Sequence, residues 1–189
     1  MFVMDKMVYE EGVLESSENP PFPLSEVRLP NGTTKLLGPS SVDAYSVFED
    51  LCLLANAEHP HFLKLESLHK TFALELVESV LTNYHALFRK HDELILLLQH
   101  HLCPLLLKTM SDRPVFPLIL RCTRVIFLLL KQFSAQLCTE AEVFLMLLIR
   151  ILTEDGTSET GVSESHYHHH VQGARPGWMR VISMEVMRG

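Results

Sequence analysis

The sequence predicts an all-α chain. Apolar residues recur at helical spacing in segment after segment, the connections between them are mostly short, and no strand-like alternation of useful length occurs. With 189 residues, 47% of them hydrophobic, the chain can bury a sizeable core. Two helices and their turns occupy about 40 to 47 residues in armadillo and HEAT repeats. The expected architecture is therefore an irregular armadillo/HEAT-like α-solenoid segment, although no crisp repeat consensus is visible.

Residues 1–9 ("MFVMDKMVY") read as the end of a helix, because the pattern begins with no cap and no preceding turn. From 10 to 39 the composition shifts to Glu, Ser, Asn, Pro and Gly, which predicts a long flexible loop. Asn31-Gly32 inside it reads as a tight turn. The helical repeat core is expected over 40–153. Ser40 is expected to cap its first helix, with Val47, Leu51 and Leu54 on the inner stripe. In the next helix Leu68, Phe72, Leu76 and Val80 form the predicted apolar face, away from Glu75, Glu78 and Ser79.

Asp92 opens a third helical stretch, which Pro104 should kink or split. Pro114 and Pro117 precede or enter the first turn of a helix that is apolar around most of its circumference, apart from Arg121, Arg124 and Lys131. Such a helix must be covered on nearly all sides. Thr139 and Glu142 match a capping box for the helix ending near Thr153. Residues 154–174 form a second low-complexity segment, and 175–189 resume as the start of a further repeat helix. The unfinished helical pattern at both ends leads us to expect an excerpt from a longer helical protein. The apolar runs Val125 to Leu130 and Val143 to Ile149 are far shorter than the roughly 20 residues of a membrane span. They read as buried core helices.

The formal charge of -7 gives no polyanion-binding footprint, so nucleic acid is not an expected partner. Cys52, Cys103, Cys122 and Cys138 are widely spaced within apolar patterns and read as reduced core thiols. His166, His168, His169 and His170 are the obvious metal candidates, since imidazole is the commonest metal ligand. All four share one stretch, whereas zinc sites draw ligands from separate rigid places, and a solvated loop is the expected reading. His59 and His61 flank Pro60, His100 and His101 lie mid-helix, and His85 and His91 bracket a short helix. Nothing in the sequence supplies an activated nucleophile beside them, and no phosphate-binding, nucleophile-elbow or metalloprotease motif occurs. No catalysis, cofactor or metal is expected.

The candidate partner surface is Arg121, Arg124 and Lys131, which share a face and could meet an acidic partner or anionic lipid. The plainer alternative is a solvated row bridged to glutamates. Trp178, the only tryptophan, could anchor an interface or pack at a helix start.

Three segments together, "KTFALELVESVLTNYHALFRKHDEL", "LLQHHLCPLLLKTMSDRPVFPLILRCTRVIFLLLKQF" and "TEAEVFLMLLIRIL", resemble the region upstream of the exchange domain in the large brefeldin-A-inhibited Arf guanine-nucleotide exchange factors. The nearer likeness is to their non-exchanging monensin-sensitivity relatives, in a fungal form. "PSSVDAYSVFEDLCLLAN" and "RPGWMRVISMEVMRG" fit the same family, and the two low-complexity stretches fall outside it. The resemblance implies an armadillo-like scaffold, peripheral on trans-Golgi and endosomal membranes. It also implies contacts with a Dopey-type scaffold, an Arf-like GTPase or a second copy of itself. Exchanging relatives carry an Asn-Tyr-Asp-Cys box in this region, and this sequence has none. Nor does it contain an exchange domain, so exchange by this chain is not expected.

Overall fold

The structure, a computed structural model, describes residues 2–154 and 175–189. It is mostly helical. Among the described residues are α1 (Phe2–Glu15), α2 (Pro39–Ala55), α3 (Lys70–Lys90), α4 (Asp92–Leu97), α5 (Cys103–Ser111), α6 (Phe116–Phe133), α7 (Cys138–Thr153) and α8 (Gly177–Arg188).

The expected loop over 10–39 is a correction. Helix α1 runs on to Glu15, and an antiparallel hairpin of β1 (Ser25–Arg28) and β2 (Thr34–Leu37) follows. The hairpin was illegible because its strands have four residues each, too short for alternation to register. Its turn is the Asn-Gly turn expected: Gly32 takes φ 83°, and the Asn31 side chain accepts the Thr33 amide at 3.1 Å.

Helix α2 is capped from a distance. Gly38 is its N-cap and Ser40 lies inside the first turn, so Ser40 does not cap with its hydroxyl as expected. Instead the buried Glu10 carboxylate of α1 accepts the Ser40 amide at 2.7 Å and the Ser41 amide at 3.0 Å, and also the Ser41 hydroxyl at 2.7 Å. A carboxylate there meets both orphan N–H groups and the positive end of the helix. A Cβ on Gly38 would collide with this carboxylate and with Phe22.

The inner face of α3 is Ala73, Leu74, Val77, Val80 and Leu81, so the predicted stripe is rotated and Phe72 is 48% exposed. The helix bends at Tyr84 (φ -123°, ψ 22°), just after Thr82 and Asn83 turn their side chains back onto the carbonyls of Glu78 and Ser79.

Pro104 acts as predicted. Its ring cannot accept a neighbour four residues back, and the chain passes from α4 to α5 through a π-helical turn, Leu98–Leu102. The stretch Asp92–Ser111 is long and apolar enough to cross a bilayer by composition alone. Its Leu94, Leu97, Leu98, Leu102 and Leu106 are instead buried in the protein core.

Helix α6 is the well-covered helix expected, with Ile119, Cys122, Val125, Ile126, Leu129 and Phe133 buried. Phe48 of α2, Phe88 of α3 and Phe133 of α6 form an edge-on series with centroid separations of 4.8 and 6.3 Å, a spine through the core. The Thr139–Glu142 capping box does not form. The turn after α6 closes on Phe133, which draws the buried Leu137 into the N-cap position and starts α7 at Cys138. Two related expectations are corrected here. Cys138 is exposed, and of the run Val143–Ile149 only Phe144 and Leu148 are buried.

The order of the helices in space follows from their ion pairs and ring contacts. Arg121 of α6 meets Glu78 of α3, and Arg89 of α3 meets Gln132 of α6, both pairs 43 residues apart. Equal separations in one direction mean that α3 and α6 run parallel. The same holds for α1 and the second half of α3, where Tyr84–Asp5 and Lys90–Glu11 are both 79 residues apart. In α6 and α8, Phe116 packs on Trp178, and Gly189 lies against Phe127 at the same separation. Four helices, α1, α3, α6 and α8, thus run in one direction, with α2, α4–α5 and α7 between them in sequence.

Candidate interaction surface

Of the predicted basic ridge, the structure sorts three residues into two kinds. Arg121 is spent inside the protein: it is partly buried, 3.0 Å from Glu78 and 3.7 Å from Glu75. Arg124 and Lys131 are exposed, and Lys131 lies 5.3 Å from the Phe127 ring centroid. The ridge therefore presents two cations, with Arg121 bridged to glutamates as the plainer alternative held. Trp178 is half-buried at the start of α8 and stands edge-on to Phe116 at 5.2 Å. That is packing between parallel helices.

Sequence reasoning missed the larger features. One is an aromatic edge at the N-terminal ends of the parallel helices: Phe116 and Val115 are about half exposed, Trp178 packs on Phe116, and the α3–α6 register carries Phe72 to the level of Val115. The other is an exposed apolar face on each of α7 and α8. Val143, Met146 and Ile149 on α7, and Val181, Met184 and Met187 on α8, are exposed, with Met146 at 65%. Spacing of three residues marks one face on each helix, but periodicity alone does not say which of two apolar faces is covered. Contiguous exposed apolar surface is the ordinary mark of a protein-binding site.

The opposite end is polar and tightly held. Glu93 is buried, and the Lys35 ammonium of β2 is 2.6 Å from it. His91, at the α3–α4 corner, has Nδ1 3.3 Å from Glu93 and Nε2 3.6 Å from Glu11 of α1, which also pairs with Lys90 at 3.0 Å. Burial alone would raise the pKa of Glu93, but His91 and Lys35 outweigh it and hold it at about 2. The Glu93 carboxylate, with Glu11, raises that of His91 against the effect of burial. This network ties α1 and the hairpin to the α3–α4 corner.

Three of the four thiols are buried and poorly ionised. Burial pushes Cys103 and Cys122 up to about 12 and raises Cys52 as well. Glu49, Asp50 and His61 bring potential ligand atoms within 4.8 Å of one another. His166, His168, His169 and His170 lie outside the described residues.

The family model for the Mon2/Sec7/BIG1-like HUS domain (Sec7-like HUS) matches residues 40–189. The chain belongs to this family. It is 31% identical over 202 residues to the Protein MON2 homolog of Xenopus laevis, covering 97% of the chain and 11% of that relative. Against the Protein MON2 homolog of Homo sapiens it is 34% identical over 168 residues, 79% of the chain and 9% of the relative. Brefeldin A-inhibited guanine nucleotide-exchange protein 3 of Arabidopsis thaliana is 32% identical over 115 residues, 58% of the chain and 6% of the relative. The chain therefore spans about a tenth of the length of the curated Mon2 relatives it matches. No solved structure matches it. The HUS match makes it a trafficking-related region of the Sec7/BIG type, and it takes in every helix from α2 onward.

Proposed function

We propose that the chain is a non-catalytic scaffold segment in Golgi and endosomal vesicle traffic, built as an armadillo/HEAT-like α-solenoid and working by binding other proteins. The observation that carries this is the HUS match over 40–189. The parallel register supports the architecture. A 43-residue step between α3 and α6 lies within the span of such repeats, and the α6–α8 step is longer because residues 155–174 intervene. Stacked layers leave long faces open to partners, and here the open faces are the apolar outer side of α7 and α8 and the aromatic edge at Phe72, Val115 and Phe116.

In this reading the partners are a Dopey-type scaffold, an Arf-like GTPase or a second copy, and the setting is the cytoplasmic side of trans-Golgi and endosomal membranes. Arg124 and Lys131 are exposed cations on α6 and serve as auxiliary contacts to an acidic partner or an anionic membrane. The test is recovery of partners from cytosolic extract, read by mass spectrometry, with the native chain, with Met146→Asp plus Met184→Asp, and with Arg124→Glu plus Lys131→Glu. Recovery of a Dopey-type protein or an Arf-family GTPase, lost with the methionine pair, supports the reading. Recovery of neither by the folded chain contradicts it.

The second reading, a regulatory upstream domain of an Arf exchange factor, draws on the similarity to the Arabidopsis exchange protein. Added to a separate exchange domain, the chain would then change its nucleotide-exchange rate; under the scaffold reading it leaves the rate unchanged.

A further inference from the structure

Three rigid elements converge beside α2. Glu49 projects from α2 itself. Asp50, fully buried, accepts the backbone amides of His61, Phe62 and Leu63 at 2.8, 2.8 and 2.6 Å, which fixes the α2–α3 loop and delivers His61 to Glu49. His61 Nδ1 stands 3.4 Å from one Glu49 oxygen, and His101 Nε2, from the π-helical turn, stands 3.8 Å from the other. π-Turns re-aim side chains and recur at functional sites. Tyr45, one turn back on α2, is buried with a hydroxyl that has no well-formed hydrogen bond, and after burial it is the Glu49 charge that raises its pKa most. It is therefore turned toward the same carboxylate.

We infer that Glu49, His61 and His101 form a divalent transition-metal site suited to Zn2+, with Asp50 positioning His61 and Tyr45 completing the carboxylate's outer contacts. The ligand set of two imidazoles and one carboxylate is that of open zinc sites, with water in the remaining position. Zinc–ligand bonds of about 2.0–2.1 Å in a tetrahedron place neighbouring ligand atoms roughly 3.3–3.4 Å apart. The Glu49–His61 separation already has this value, whereas His101 stands 3.8 Å from the carboxylate's other oxygen and would have to turn its ring toward His61 to complete the set. Asp50 is not a ligand, because both its oxygens are occupied by amides. Outer groups that hold first ligands in place are the usual companions of protein metal sites. The bound ion would pin the α2–α3 loop to α2 and to the π-turn, the junction at which successive layers meet.

The experiment is Zn2+ titration of the chain against a chromophoric chelator. A background carrying His166→Asn, His168→Asn, His169→Asn and His170→Asn removes the other histidine cluster. The expected result is one equivalent bound, weakened at least about 10-fold by each of Glu49→Gln, His61→Ala and His101→Ala and left unchanged by His59→Ala. Hydrogen exchange gives a second readout: Zn2+ should slow exchange across residues 58–66 in the background chain and not in His61→Ala. Circular dichroism confirms that each variant is folded. Binding that disappears in the background chain, or that survives all three substitutions, overturns the site.

Discussion

Glu10 is the residue on which the joint between α1 and α2 turns. Its carboxylate is buried and caps a helix thirty residues away, accepting two amides and one hydroxyl. Replacing it by alanine removes a side-chain cap, worth about 0.5–2 kcal/mol, together with a negative charge at a helix N-terminus, worth roughly 0.3–1 kcal/mol. The expected cost of Glu10→Ala is therefore about 1–3 kcal/mol. Glu10→Gln keeps one acceptor oxygen but no charge, and should cost about 1 kcal/mol by the same reasoning. Urea unfolding of the three chains measures both, and hydrogen exchange at the Ser40 and Ser41 amides shows whether the loss is local. A Glu10→Ala cost below about 0.5 kcal/mol, smaller than even a weak cap, would refute the cap. So would equal costs for the two variants.

The His91 corner predicts a pH window. The folded pKa of His91 is raised, so its contribution is fully present below the ordinary value of 6.5 and is lost as pH rises through the folded value. Glu93 behaves in the opposite sense. Its contribution is present above the ordinary 4.5 and is lost as pH falls toward about 2. Unfolding midpoints should thus be highest between these ordinary values, and His91→Ala should flatten the decline on the alkaline side; an unchanged slope would exclude His91 as its source. Asp50→Ala strands three amides and should cost about 2–4 kcal/mol, with faster hydrogen exchange at residues 61–63 and none elsewhere in the loop's neighbours. Phe88→Ala breaks the aromatic spine at its middle and should cost about 3–5 kcal/mol in urea unfolding.

The helices from α2 onward were legible because apolar residues recur at helical spacing in each, and the effect of Pro104 was legible because a missing N–H is a local fact. What escaped was set by tertiary contact. Ser40 looks like a cap in sequence, but the competing acceptor, Glu10, lies in another helix. Phe72 fits an apolar stripe, yet α3 turns Ala73, Leu74 and Val77 inward instead. Arg121, Arg124 and Lys131 share a face by spacing, and only the parallel register with α3 shows that Glu75 and Glu78 take the first of them. Exposure of the α7 and α8 faces depends on what stacks beside them, which no local pattern encodes.

Parallel layering is the structural claim behind the proposed scaffold architecture, and thiol cross-linking tests it most directly. In a Cys138→Ser background, whose remaining cysteines are buried, paired cysteines replace Glu78 with Arg121, Arg89 with Gln132, and, as the antiparallel control, Glu78 with Gln132. A short bifunctional thiol reagent should join the first two pairs rapidly and leave the third unlinked. Efficient linkage of Glu78→Cys to Gln132→Cys, with none in the other two, would contradict the parallel register and the layered scaffold with it.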